Sequence, residues 1–278
     1  MQENVCKPFI KRVGGKRQLL DQLTRFFPKK FNNYFEPFVW GGAVFFHLRN
    51  FYWDNFQATI SDINSDMIIT YNTIKNDVQS LIKELKTYPY DKNFYMEIRN
   101  RDRDPDFNKR SNIQKSARFI YMNKTGFNWL YRENSQGFNN VPFGRYNNPK
   151  ICDEETLLND QKALQNTIIL NQDFELVLKK AKKWDFIYFD PPYDTLTATA
   201  NFTWYNKGGF DKEEQIRLFK TYQALDKMWC LLMLSNHNTQ FINNLYRDYK
   251  RITVFASRMV NVKAGRRWPI EETIIFNY

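Results

Sequence analysis

The feature that most limits how this chain can fold is a short apolar run, Phe186-Ile187-Tyr188-Phe189, that passes without a spacer into Asp190-Pro191-Pro192-Tyr193. The run reads as a strand. In an open α/β sheet, ligands bind beyond the carboxyl ends of the strands, so the tetrapeptide falls where chemistry is expected. Two successive prolines stiffen the turn and restrict the residue before each, which fixes the Asp190 carboxylate relative to the Pro191 carbonyl. Such a pair of acceptors suits an exocyclic amino group with its two N–H donors. Asp190 takes one and the Pro191 carbonyl the other, drawing the nitrogen lone pair out of conjugation toward an incoming methyl group. The Tyr193 ring is placed to stack on a base. Taken alone, the four residues also read as a strand-ending turn with an aromatic plug.

The rest of the chain supports an α/β reading. Tyr34-Phe35-Glu36 leads into the turn Pro37-Phe38-Val39-Trp40-Gly41-Gly42, and Ala58-Thr59-Ile60 ends at Ser61-Asp62. Further candidate strands lie at Thr167–Leu170, Asp185–Phe189, Trp229–Leu234, Ile252–Phe255 and Thr273–Phe276. Between them, residues 73–151 alternate charged helix-like stretches with the aromatic, Asn- and Gly-rich segment from Asn123 to Pro149, where the strand–helix rhythm stops. The expected organisation is residues 1–72 and 152–278 building one sheet with helices on both faces, with 73–151 inserted. A length of 278 residues suits one such domain plus a subdomain. Glycines after a first strand let backbone approach a cofactor, and an acidic residue about 20 positions on can bind ribose hydroxyls. Asp62 has that spacing from Gly42.

Charge narrows the partners. Lys and Arg total 41 against 30 Asp and Glu, a formal charge of +11, which favours a polyanion such as nucleic acid. Cys6, Cys152 and Cys230 lie too far apart for a CxxC site, and their odd number argues against a complete disulfide framework, consistent with a reducing cytoplasm. His47 and His237 have no Cys or second His at ligand spacing, so no metal is expected. The longest apolar stretch, Met228–Leu234, is far short of the roughly 20 residues that span a bilayer, and no apolar signal-peptide core is read at the N-terminus. A soluble, cytoplasmic protein is expected.

Taken in order, Gly14-Gly15-Lys16, Phe38-Val39-Trp40-Gly41-Gly42, Asp62-Ile63-Asn64, Asn139-Asn140-Val141-Pro142-Phe143-Gly144-Arg145-Tyr146, Asp190-Pro191-Pro192-Tyr193 and Ala198-Thr199-Ala200-Asn201-Phe202-Thr203 resemble the Dam-type DNA adenine-N6 methyltransferases. The resemblance covers nearly the whole chain. It implies a Rossmann-like methyltransferase sheet with an inserted, mainly helical target-recognition domain. It also implies S-adenosylmethionine as methyl donor, S-adenosylhomocysteine as product, a flipped adenine in double-stranded DNA as acceptor, and GATC as target. A cognate restriction endonuclease is an implied genetic partner. By the same match, Arg12, Lys16, Phe38, Trp40, Gly42, Asp62 and Asp190 fall at cofactor positions, and Asp190, Pro191, Pro192 and Tyr193 form the catalytic motif. Lys11, Phe127, Asn128, Leu130, Arg132, Pro142 and Tyr146 fall at DNA-contacting positions, with Phe127 as a wedge-like aromatic and Arg132 as a base-reading arginine. Arginine suits bidentate contact with guanine O6 and N7, and the wedge fills the stack when a base is flipped out.

Three positions depart from the family's pattern. Arg12 stands where a Trp is usual, Trp40 where a Gly is usual, and Trp129 where close relatives tend to have a small residue. An indole at a cofactor-hugging turn either obstructs the pocket or packs elsewhere, and sequence leaves both open. The second functional reading is therefore a DNA-binding relative with impaired cofactor binding and little methyl transfer.

Overall fold

The computed structural model describes residues 5–11, 16, 19–52, 55–195, 210–256 and 270–278. Among these, seven strands form one sheet: β1 (Tyr34–Glu36), β2 (Ala58–Asp62), β3 (Thr167–Asn171), β4 (Phe186–Phe189), β5 (Leu231–His237), β6 (Lys250–Ala256) and β7 (Ile270–Phe276). Their order is β3-β2-β1-β4-β5-β7-β6. The first five are parallel neighbours, and β7 lies antiparallel between β5 and β6. The chain runs outward from β1 to β3 in one direction and from β4 to β5 in the other. The crevice of this Rossmann-like sheet therefore opens at the carboxyl ends of β1 and β4. The turns leaving those two strands begin at Pro37 and Asp190.

The strands expected from sequence are all present, with bounds that differ by up to three residues: β6 begins at Lys250 and β7 at Ile270, earlier than expected, and β4 begins at Phe186. β5 begins at Leu231 rather than Trp229 and runs on to His237. The physical reason lies in the backbone: Trp229 has φ 62°, a left-handed conformation that a strand residue cannot adopt. Alternation divides the side chains between the two faces. Phe186 and Tyr188 of β4, Leu231 and Met233 of β5, and Ile274 of β7 join one core cluster. Ile187, Phe189, Leu232, Leu234 and Ile275 join the other.

Helices fill both faces: α1 (Leu20–Leu23), α2 (Ala43–Tyr52), α3 (Ser65–Leu85), α4 (Lys92–Asn100), α5 (Asn112–Thr125), α6 (Glu154–Leu164), α7 (Lys212–Lys227) and α8 (Gln240–Leu245). α7 and α8 contribute Leu218, Tyr222, Leu225 and Ile242 to the second cluster, whereas α2, α3, α5 and α6 pack into the first. Starts are set by side-chain caps, each stabilising by about 1 kcal/mol. Asn64 accepts from Met67 N at α3, Ser111 and Gln114 form a reciprocal capping box at α5, and Asp211 accepts from Glu213 N and Glu214 N at α7. Residues 72 and 73 are consecutive within α3, and Ser116 Oγ of α5 donates to Thr73 Oγ1 at 2.9 Å. The helix α5 is thus packed on α3, a helix that begins directly after β2 and runs across the boundary expected at residues 72–73. No helix among the described residues is long and apolar enough to cross a membrane.

Candidate functional site

At the carboxyl end of β4 the chain turns through Asp190, Pro191, Pro192 and Tyr193, and Lys16 meets them from the N-terminal region. Lys16 Nζ lies 3.3 Å from Asp190 Oδ1 and 2.7 Å from Glu272 Oε2, with all three side chains buried. The same ammonium sits 4.4 Å from the centroid of the Tyr193 ring, and Tyr193 donates its hydroxyl proton to Glu272 Oε2 at 2.7 Å. Removing a lysine and two carboxylates from water costs more than one ion pair returns unless hydrogen bonds complete the network, and here Tyr193 supplies one.

The turn itself is clamped. Gln215 Nε2 donates to Pro192 O (2.9 Å), and Asn236 Nδ2 donates to Gln215 Oε1 (3.1 Å). Asp194 N donates to Asn236 Oδ1 (2.9 Å), His237 Nδ1 donates to Asp194 O (2.6 Å), and Thr239 Oγ1 donates to Asp194 Oδ2 (2.6 Å). Burial pushes the His237 imidazole below its usual pKa, which favours the neutral ring with its proton on Nδ1. That ring stands edge-on to Tyr193 at 4.8 Å. Side chains locked in this way hold the turn to a single geometry.

A further buried carboxyl, Glu36, ends β1. It accepts from Tyr34 OH (2.8 Å) and Phe45 N (3.1 Å), and burial, with Asp190 nearby, holds its pKa well above the ordinary carboxyl value. The adjoining turn places the expected cofactor residues. Asp62, ending β2, accepts from Asn64 N (3.0 Å) and from Trp40 N (3.4 Å), while Trp40 O accepts from Tyr71 OH (2.9 Å). Trp40 has φ 38° and is 8% exposed, within the core cluster that includes Val39 and Tyr71. Gly42 follows with φ 63°, and a Cβ there would meet Tyr71 Oη at 2.7 Å, so the position admits only glycine. Phe38 stacks on Phe174 at 5.2 Å and meets Phe210 edge-on at 5.6 Å. Ile63 is an exposed apolar side chain beside Asp62.

Of the expected DNA-contacting residues, all but Lys11 lie within residues 127–146. Phe127 is half-exposed at the head of a short 3-10 turn, followed by Asn128 and Trp129 at φ 53° and 55°. Phe127 N donates to Pro142 O (2.8 Å), and Tyr146 donates its hydroxyl proton to Gly126 O (2.9 Å) while accepting from Trp129 N (3.2 Å). Antiparallel bridges pair Gly126 with Phe143 and Glu133 with Asn139, so Leu130 and Arg132 lie on one arm of a narrow loop. Arg132 Nε donates to Asn140 Oδ1 at 2.7 Å, an anchor that leaves the two terminal nitrogens to act as a fork. Lys11 joins this assembly from the N-terminal region. Buried Asn123 accepts from Lys11 N (2.8 Å) and donates to Lys11 O (2.8 Å) and Trp129 O (2.9 Å). Lys11 Nζ then lies 4.4 Å from the Trp129 ring, which stacks on Tyr146 at 5.4 Å with planes 5° apart.

Of the residues expected at the site, Arg12 lies outside the described residues, as do Gly14, Gly15 and the Ala198–Thr203 segment. Gln215, Glu272 and Asn236 join the site without having been named from sequence, and Glu36, His237 and Asn140 join it without having been given a role there. Asn236-His237 at a strand's carboxyl end was a readable signal; Glu272, on an antiparallel strand far along the chain, offered none. Among the described residues no three His, Cys, Asp or Glu side chains come together as a metal site.

With this geometry in place, comparison with known proteins is informative. Residues 13–260 match the model of the D12 class N6 adenine-specific DNA methyltransferases. The chain is 44% identical to the type II methyltransferase M.MjaIII of Methanocaldococcus jannaschii, over 98% of this chain and 99% of the relative. It is 40% identical to the type II methyltransferase M1.LlaDCHI of Lactococcus lactis, over 98% and 95%. Identity to the DNA adenine methylase of Escherichia coli K12 is 32%, over 96% and 94%.

Proposed function

Because the chain belongs to the D12 class of N6 adenine-specific DNA methyltransferases, we propose that it methylates an adenine flipped out of duplex DNA within GATC, using S-adenosylmethionine. The observation that carries this reading is the clamped Asp190–Tyr193 turn at the sheet's switch point, with Lys16 closing on it. The residues present suit the cofactor. Asp62, oriented by two backbone N–H groups, would hold ribose hydroxyls; Ile63 and Phe38 offer apolar surface for an adenine ring; Lys16 would pair with the methionine carboxylate. The buried Lys16, Asp190 and Glu272 carry a formal charge of −1 together, which favours a sulfonium nearby. When bound, S-adenosylmethionine supplies an electrophilic methyl group.

The chain's own residues do the rest. Asp190 and the Pro191 carbonyl accept the two N–H groups of the target amine and turn its lone pair toward the methyl group, and the Tyr193 ring stacks on the base. A base inside a duplex is out of reach, so it must be extruded; the half-exposed Phe127 would fill the gap. Lys11, Arg132, Asn128, Leu130, Pro142 and Tyr146 line the same loop assembly and would contact the duplex, with the Arg132 fork reading a guanine. The type II relatives favour a partnership with a restriction endonuclease. Methyl transfer to unmethylated genomic DNA, followed by sequencing of modified adenines, tests reaction, base and target together. Modified adenines confined to another sequence would remove GATC while keeping the chemistry.

A further inference from the structure

On the opposite side of the sheet, at the amino ends of β4 and β5, two tryptophans stand in solvent. Trp184 is 51% and Trp229 67% exposed, and both hold left-handed backbones, at φ 68° and 62°. Left-handed φ is unfavourable for a side chain of this size, so the surroundings must impose it. They do so through paired turns: Trp184 N donates to Trp229 O (2.9 Å), Asn32 N donates to Trp184 O (2.9 Å), and Asn32 Nδ2 donates to Lys183 O (3.1 Å). Lys183 Nζ lies 5.5 Å from one indole centroid and 5.4 Å from the other.

The ground around the rings is basic. Lys29 and Lys30 lead into Asn32, Lys179, Lys180 and Lys182 lead into Lys183, and Lys227 precedes Trp229; all are exposed. The nearest acidic side chains are already engaged. Asp185 is buried and accepts from Asn33 N, Asn33 Nδ2 and Lys182 N, while Asp226 accepts from Asn277 Nδ2 and Tyr249 OH. Among the described residues none of these lysines has a carboxylate oxygen within 4 Å. Uncompensated positive charge disfavours a second copy of this +11 chain as the occupant and favours a polyanion.

From this pairing of exposed indoles with lysines we propose that the back face is a second nucleic-acid surface that takes single-stranded polynucleotide, bases stacking on Trp184 and Trp229 and phosphates on the lysines. Aromatic rings interleaved with cations bind single strands without sequence preference, whereas a duplex, its bases already stacked, would use the lysines alone. The surface lies away from the carboxyl ends of β1 and β4, so both sites can be occupied at once.

The test uses the full chain and labelled oligothymidylate, oligouridylate and duplex of about 20 nucleotides each, followed by anisotropy and tryptophan quenching. Oligothymidylate should quench wild-type fluorescence, and Trp184→Ala/Trp229→Ala should weaken its binding about tenfold. Methyl transfer to a short duplex should stay unchanged. Lys183→Glu, which alters only an exposed side chain, should weaken the single strand too and guards against misfolding of the tryptophan variant. Comparing the two oligonucleotides separates DNA from RNA as the source. Wild-type affinity for oligothymidylate in both variants would overturn the proposal, because Lys183 would then merely cap the indoles. Equal losses for duplex and single strand would replace it with a duplex-binding surface.

Discussion

Lys16 and Asp190 are paired at 3.3 Å while the same ammonium rests 4.4 Å from the centre of the Tyr193 ring. The cation therefore covers a ring face that a target base would need, and it holds one oxygen of the carboxylate that would accept the amine. On the proposed reading, a ligand carboxylate would offer Lys16 an alternative anionic partner, and cofactor binding and opening of the base site would then be linked through one side chain.

Removing the carboxylate separates chemistry from affinity. In Asp190→Ala, methyl transfer should fall by at least about 100-fold, the scale of losing one preorganised group at a reacting centre. Duplex affinity should remain close to wild type, since most of it comes from phosphate contacts. Single-turnover assays and anisotropy titrations on the same duplex measure the two quantities, and near-normal turnover would remove Asp190 from the mechanism.

Glu36 should impose a pH dependence on stability. Its folded pKa is raised above the ordinary 4.5, chiefly by burial, so the folded state binds the proton more tightly than the unfolded state. That contribution is fully present below pH 4.5 and declines as pH rises from there through the folded-state pKa. Glu36→Gln keeps an acceptor for Tyr34 OH and Phe45 N without the charge. The difference in melting temperature, variant minus wild type, should grow as pH is raised from 4.5 and then level off. A difference that stays flat across the series would show that Glu36 does not carry the proton.

Much of this centre was legible before any coordinates, and what escaped has a common cause. The β4 run, the Asp190–Tyr193 turn, the glycine turn and Asp62 are local patterns whose meaning depends on a few adjacent residues. Glu272 meets Lys16 and Tyr193 across an antiparallel strand pairing and has no local signal, whereas Asn140 lies within a readable motif but shows its bond to Arg132 only across a loop. The start of β5 was misplaced because an apolar Trp229 fits a strand by composition, whereas its backbone is set by the turn it shares with Trp184.

Specificity should depend on orientation as well as identity. Arg132→Ala should relax discrimination at one guanine by roughly 1–3 kcal/mol, and Asn140→Ala should relax it at the same position by less, because the guanidinium remains but loses its 2.7 Å anchor. Competition between cognate duplexes and duplexes substituted at each position resolves this. Equal weakening on every sequence would place Arg132 on the phosphate backbone.

Trp40 brings two opposing effects into one substitution. Its φ of 38° suits glycine, and Trp40→Gly should recover about 1–2 kcal/mol of left-handed strain. The indole is also 8% exposed within the core, and truncating a buried tryptophan costs about 3–5 kcal/mol. The cavity term is the larger, so the variant should be less stable by about 1–4 kcal/mol in denaturant titrations. Its cofactor affinity should be no tighter than wild type, because the bonds that place Asp62 and Tyr71 come from the Trp40 backbone and a glycine keeps both. Calorimetric titration with S-adenosylmethionine decides the second point: tighter binding in Trp40→Gly would mean that the indole narrows the pocket, whereas unchanged or weaker binding would make it a packed part of this enzyme's own cofactor turn.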